Sequence, residues 1–506
     1  MEKIDRRKLL KGSMITGAAT LFGGVENAKS STASVPINTI RIPETEIPIA
    51  MEVDVVVVGG GPAGFGAAMR AARSGVRTLL IERFGTPGGA MTTGFMCTTG
   101  GGTSGPLHND FVERLRAEGW LFDAWAKFPQ LDRNILVHQS GRMNFYPDDG
   151  AYVMIRMLEE AKVNLLLRTS FVDTVMHKSL FGDNSIEAVI VENASGRQAI
   201  RAKMFVDATG RADVVARAGA PFRSAGNQDG YPVPASLMYK VSGVDFEKLF
   251  GYQKSDPTFE KVTSKARAAG DIPDGLYMPY RYSYAGGPGG YTGNPQLNMC
   301  ALRGPGDMLV WTFVPYPWKI NAAENGFDAS RAEVEMRKLN VAEVKFLRKY
   351  VPGCENCFLS GIAPMLALRE GRHPIGEYVI TYEDMVSNRT FPDAVLHRTT
   401  TDPLDWREST RNYGQSGGPD KPADKGEPPR RRFSFDVPYR ALIPKKVNNL
   451  LLAGECISCT YECIVQALRL IPWCMRTGEV AGQAAAIAVK QDISAKEVKW
   501  SGLLTD

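Results

Sequence analysis

Residues 53–82, VDVVVVGGGPAGFGAAMRAARSGVRTLLIE, run in one order: apolar strand, glycine turn, small-residue helix, second apolar strand, acid. Each part suits a dinucleotide. Gly59 allows a tight turn after 53–58. Gly61 has no Cβ, so the backbone can approach a pyrophosphate. Pro62 and Ala63 open the helix, whose N terminus offers N–H groups and partial positive charge to phosphates. Gly64 and the alanines after it let the helix lie close to the sheet. Glu82, at the end of the second strand, can accept hydrogen bonds from ribose hydroxyls.

Other stretches carry a resemblance. Residues 82–94, ERFGTPGGAMTTG, and 205–219, FVDATGRADVVARAG, resemble the FAD-dependent oxidoreductases of the glutathione-reductase-like superfamily. Residues 351–378 (VPGCENCFLSGIAPMLALREGRHPIGEY), 435–458 (FDVPYRALIPKKVNNLLLAGECIS) and 475–489 (MRTGEVAGQAAAIAV) resemble one bacterial FAD-dependent oxidoreductase family within it. The resemblance spans about 53–491 and implies FAD, a Rossmann-type α/β domain and an enzyme. It places Arg83, Gly89, Ala90 and Met91 near the cofactor, Val172 beside the adenine, and Ala208, Gly210, Gly454 and Glu455 along the cofactor's length. It is specific for FAD and says little about substrate.

At 506 residues, with 44% hydrophobic and 23% charged residues, the chain is long enough for two domains of an ordinary globular protein. A net charge of +5 gives no support to a nucleic-acid partner, and the run Arg430–Arg432 reads as a solvated loop. Arg6-Arg7 precede a weakly apolar stretch, 13–25, too short and polar to span a bilayer. Together they read as a twin-arginine (Tat) export signal, and no integral membrane span is expected. Such export carries folded proteins, which suits a flavoprotein loaded in the cytoplasm. A periplasmic or otherwise exported location follows.

The expected organisation is a signal at 1–33, a linker at 34–51, a discontinuous FAD-binding domain at 52–221 and 441–492, and an inserted α+β substrate or cap domain at 222–440. Helices are expected over 109–118, 150–161, 329–350 and 476–490. A hairpin is expected at 186–192 and 198–204 with a separate strand at 205–208, and an antiparallel sheet from 237–241 and 308–314. Residues 100–105 repeat the glycine spacing without a preceding strand, and 286–290 open no helix. No second dinucleotide site for a nicotinamide is therefore expected.

Export alters the meaning of the eight cysteines. Cys354-x-x-Cys357 reads as a local disulfide or as two packed thiols. Cys456, Cys459 and Cys463 lack an evident fourth ligand, so no metal site is expected. In the family, 456–469 faces the flavin and often carries a histidine near position 461. Here Tyr461-Glu462 stand instead. Tyr461 reads as a proton donor or acceptor, or as a packing aromatic, with Glu462 beside it. Arg372 reads as an anchor for a substrate carboxylate, or as half of a structural pair with a neighbouring glutamate. His373 replaces the family's usual arginine and is a third catalytic candidate. His108 and His138 read as packing or surface residues. The combined expectation is hydride exchange between flavin and a small organic substrate, with a quinone, cytochrome or oxygen as redox partner. A respiratory reductase of an unsaturated acceptor and a non-catalytic electron relay stand beside it.

Overall fold

The apolar run of the opening motif forms strand β1 (Ile49–Val58), and the following run forms β2 (Thr78–Ile81). This computed structural model describes residues 40, 42–98, 105–123, 143–177, 184–226, 232, 235–256, 259–271, 299–313, 320–400 and 433–503. Thr45–Asp506 is one compact unit; of Met1–Glu44, only residues 40 and 42–44 are described. Arg6-Arg7, 100–104, His138, 286–290 and Arg430–Arg432 lie outside the described residues. β1 begins within the last residues of the expected linker: Ile49 and Met51 already pair with Ala199 and Ile200.

Next come β3 (Asn164–Leu166), β4 (Ser170–His177), β5 (Ser185–Asn193) and β6 (Gly196–Asp207), with β11 (Leu450–Leu452) returning near the C terminus. β3, β2, β1, β6 and β11 are mutually parallel neighbours in that order. β4 and β5 extend the sheet as an antiparallel meander on β6. The expected hairpin strand and the separate strand 205–208 are one strand. One edge of β6 follows β1 throughout, while the other pairs with β5 over its first half and with β11 over Phe205–Asp207. One strand thus joins the meander to the parallel core.

Alternation along β1 sends Val55 and Val57 to one face of the sheet, and Val56 and Val58 to the other. Two helices cover the first face: α1 (Pro62–Arg73) and α5 (Ile471–Gln491). They meet backbone to backbone. A Cβ on Gly478 would lie 2.0 Å from the Ala63 carbonyl oxygen, one on Gly482 2.1 Å from that of Ala67, and one on Gly66 2.2 Å from that of Met475. The small residues of both helices exist to permit this approach. Helices α2 (Pro106–Ala117) and α3 (Pro147–Glu160) start a few residues earlier than expected, each with proline in its first turn.

The second region holds an antiparallel sheet in the order β8 (Met299–Ala301), β9 (Met308–Phe313), β7 (Ser236–Ser242) and β10 (Phe358–Ile362). Helix α4 (Gly326–Tyr350) packs on it, capped by the Asn325 side chain on the N–H groups of Phe327 and Asp328. Beyond β10 the chain runs through 363–373 back to the parallel sheet. Gly371 lies so close to the Gly210–Arg211 turn that a Cβ on it would sit 2.5 Å from the Gly210 oxygen. No helix of the described residues is long and apolar enough to cross a membrane.

Candidate active site

The structure separates the motif glycines by what demands them. Gly59 has φ of +99°, and a Cβ on it would lie 2.5 Å from the Ala208 carbonyl oxygen. A Cβ on Gly64 would lie 1.7 Å from the Gly59 carbonyl oxygen. The fold requires both. Gly61 has an ordinary extended backbone, with φ −66° and ψ −174°. Apart from its chain neighbours, no atom of the described residues lies within 4 Å of where its Cβ would be. Neither conformation nor packing calls for glycine there. A phosphate approaching the helix does.

The helix start is prepared for that charge. Pro62 has no N–H, Gly61 supplies no side-chain cap, and the Phe65 N–H donates to the Gly61 oxygen at 2.8 Å. The N–H groups of Ala63 and Gly64 belong to the first turn and have no intrahelical acceptor. Ala63 also packs beneath the Gly454 turn: a Cβ on Gly454 would lie 2.6 Å from its own. Gly88 donates its N–H to the Gly60 oxygen at 2.7 Å, bringing the 88–91 turn across this loop. A Cβ on Gly89 would lie 2.9 Å from the Gly61 Cα. Ala90 is half-buried there and Met91 fully buried.

Glu82 is buried and accepts the N–H groups of Gly60 at 2.7 Å and Phe84 at 2.8 Å. Burial raises its pKa, against the lowering effect of those two bonds. A carboxylate has about four acceptor sites, so capacity remains for ribose hydroxyls. Arg83 is exposed, its guanidinium 4.9 Å from the centre of the Phe84 ring. The chain at Arg168 and Thr169 donates to the oxygens of Phe84 and Glu82. Val172 follows at a β-bulge: Phe171 pairs with Val191 and Asp173 with Ile190, so Val172 is the extra residue. A bulged residue is left out of the ladder.

At the ends of β6 and β11, Ala208 is buried and Gly210 has φ of +72°. Asp207, not among the sequence candidates, organises this corner. Its fully buried carboxylate accepts from the Thr209 N–H (3.1 Å) and hydroxyl (2.7 Å), the Val215 N–H (3.0 Å) and the Cys456 thiol (3.5 Å). The signal for it was an acid closing an apolar strand before Thr-Gly. Thr477 on α5 accepts the Gly454 N–H at 2.9 Å and holds the second corner. Glu455 follows, 3.4 Å from where a Gly210 Cβ would be. Burial pushes its pKa up to about 7; nearby Arg469 and Arg369 lower it and Glu370 raises it.

Residues 369–373 and 461 converge on this corner. Glu370 and His373 are buried, with His373 Nε2 3.2 Å from Glu370 Oε2. The His373 ring meets the Tyr461 ring edge-on, centroids 6.5 Å apart at 69°. Tyr461 is itself buried, and Glu462 is half-buried beside it on the short turn Tyr461–Cys463. A π-helical segment, Ile464–Leu468, follows. Such segments recur at functional sites.

Arg372 donates through Nη1 to the Arg211 oxygen and to Asp213, both at 3.0 Å, and its Nε lies 3.9 Å from Glu324. These contacts brace the Arg211–Asp213 turn against the second region and favour the structural of its two expected roles. His108 is buried, neither of its ring nitrogens is bonded among the described residues, and burial lowers its pKa to about 4. His397 is tied to Asp436 and Ser434. Cys456, Cys459 and Cys463 are all buried, and desolvation raises all three thiols. Among the described residues, no group of three or more His, Cys, Asp or Glu is placed to hold a metal ion.

Comparison with known proteins agrees with this geometry. Part of the chain is 30% identical over 207 residues to digeranylgeranylglycerophospholipid reductase 2 of Methanothermobacter thermautotrophicus, covering 39% of this chain and 49% of that protein. It is 31% identical over 166 residues to thiamine thiazole synthase of Methanococcus vannielii, covering 32% of this chain and 57% of that protein. The chain thus spans about half the length of the curated relatives it matches. Among solved structures it is similar to a geranylgeranyl bacteriochlorophyll reductase-like protein of Thermoplasma acidophilum, with TM-score 0.39, 13% identity, and 87% of this chain and 80% of that one covered. It is also similar to the p-nitrophenol 4-monooxygenase of Pseudomonas putida, with TM-score 0.41, 12% identity, and 88% and 82% covered. Residues 54–505 match the family described as FAD dependent oxidoreductase, and the chain belongs to that family of flavoenzymes.

Proposed function

We propose that this enzyme exchanges a hydride with a small organic substrate and is exported by the twin-arginine route, with a quinone, cytochrome or oxygen as its redox partner. The observation carrying the substrate chemistry is the edge-on pair His373 and Tyr461, with His373 bonded to Glu370, which in turn acts on Glu455. FAD supplies hydride transfer when bound. The chain supplies the rest. The N terminus of α1 and Glu82 hold the dinucleotide, Glu455 faces the cofactor, and Tyr461 and His373 give or take the proton that accompanies the hydride.

Anaerobic rapid mixing of the purified holoprotein against a substrate panel, in both redox directions, tests this. Tyr461→Phe removes only a hydroxyl, so FAD content should persist while flavin reduction or reoxidation slows by roughly 100-fold. Wild-type flavin kinetics in that variant would return Tyr461 to packing. A second reading, a reductase of an unsaturated acceptor, has one support: the Methanothermobacter relative is a reductase by name. Faster reoxidation by an alkene acceptor than reduction by any donor would select it. For export, Arg6→Lys with Arg7→Lys should strand full-length, FAD-loaded protein in the cytoplasm; undiminished export discards that part.

A further inference from the structure

The active-site corner contains a buried carboxylate that needs a reason. The Glu370 side chain has no solvent exposure and that of His373 has 7%. Burying an acid is costly unless its oxygens are bonded. Glu370 Oε2 lies 3.2 Å from His373 Nε2 and accepts the Gly226 N–H at 3.4 Å. A neutral imidazole carries one N–H, and the nitrogen facing a carboxylate is the one that keeps it. The other nitrogen, Nδ1, is then the acceptor.

We infer that Glu370 is a positioning residue: it holds His373 as the Nε2–H tautomer and leaves Nδ1 as the proton acceptor of the reaction. This rests on the hydride-exchange reading above. In the oxidative direction Nδ1 would take the proton of the substrate X–H bond and return it to solvent, and bound FAD would supply the acceptor for the neighbouring C–H hydride, whose two electrons and one proton would pass on to the quinone, cytochrome or oxygen. Glu370, Arg369 and Arg469 all act electrostatically on Glu455, and the ring against His373 is that of Tyr461. Imidazolium formation at His373 is balanced by the Glu370 charge 3.2 Å away. Gly371, between the two, is locked onto the Gly210 turn. The pair is therefore tied to the cofactor-lining backbone.

The chain has only five histidines, so ¹⁵N-histidine labelling of the full-length holoprotein gives a readable spectrum. His373→Asn assigns the signal. The wild type should show His373 with Nε2 protonated and Nδ1 bare. Glu370→Gln, which keeps size but loses charge, should give a tautomer mixture. It should also shift the matching limb of the pH profile for flavin reduction and slow that step roughly 10-fold or more. Normal FAD absorbance in the variant shows that the fold survives. If His373→Asn is slow but Glu370→Gln leaves tautomer and pH limb unchanged, the positioning role is overturned. If His373→Asn has wild-type kinetics, the proton-transfer reading falls with it. If Glu370→Gln does not fold, the wild-type tautomer alone decides: a protonated Nδ1 overturns the inference.

Discussion

Helix α1 meets α5 in one way, and helix α4 meets its sheet in another. At the first contact the side chains are missing: Gly66, Gly478 and Gly482 place one helix backbone on the other, with no room for a single carbon. At the second, side chains fill the gap, and some are polar. Glu343 and Thr312 are fully buried there and hydrogen-bonded to each other, with Tyr239 against them. Both amide atoms of Asn340, one turn earlier on α4, lack a partner among the described residues. The glycine contact tolerates no addition but costs no desolvation. The polar contact is soft to shape and sensitive to charge. The dinucleotide-binding half is thus defined sterically, and the second region electrostatically.

The sharpest way to break this contrast is through two glycines of the first region. Gly478→Val puts a carbon 2.0 Å from a backbone oxygen that cannot move without α1. It should abolish soluble folded protein, because the clash is with backbone and no rotamer relieves it. Gly61→Val meets open space. It should fold, with far-ultraviolet circular dichroism like that of wild-type apoprotein, yet purify without FAD. If Gly61→Val keeps normal FAD content, the site assignment fails. If Gly478→Val folds with FAD bound, the steric account of the first region fails.

The same contrast explains what the sequence disclosed. Gly59, Gly61 and Glu82 were legible because backbone geometry leaves a fixed spacing in the chain. The small residues of α5 were legible as a class, although their partner, α1, lies about 400 residues away and no local pattern names it. The extent of β6 was misread as two strands, since pairing with β5 and then β11 is a tertiary fact. Arg372 and Glu370 show the limit. An Arg-Glu-Gly-Arg-His run announces charge, but which member faces a cleft depends on the Gly210–Arg211 turn it folds against. That turn claims Arg372 through Arg211 and Asp213, and leaves His373 to Tyr461. Asp207 was missed because a buried acid at a strand end reads like any other acid. In the second region, Glu343 within RKLNVAEVKFL looks like part of a solvated helix face.

Glu343 also offers the finest test of the electrostatic half. Burial pushes its pKa up to about 8, against the lowering effect of the Thr312 and Tyr239 hydroxyls. A free glutamate titrates near ~4.3. Between those values the folded state holds a proton that the unfolded chain has released. The resulting stability is fully present below about pH 4.3 and is lost as pH rises through about 8. Glu343→Gln is neutral throughout, so it should melt close to wild type at pH 5 and above it at pH 9. For a chain this long each 1 kcal/mol relieved raises Tm by about 1 °C. Other groups nearby also titrate: Tyr239 is pushed well up, and Cys357 is drawn down by its hydrogen bond with Cys354. Tyr239 is raised by burial and by Glu343 itself and stays protonated up to pH 9, and Cys357 is the same in wild type and variant, so the change in the Tm difference between pH 5 and pH 9 reports Glu343. A difference that does not change between pH 5 and pH 9 would mean that Glu343 is ionised or solvated in the fold. The layer under α4 would then be ordinary packing, and the electrostatic side of the contrast would be lost.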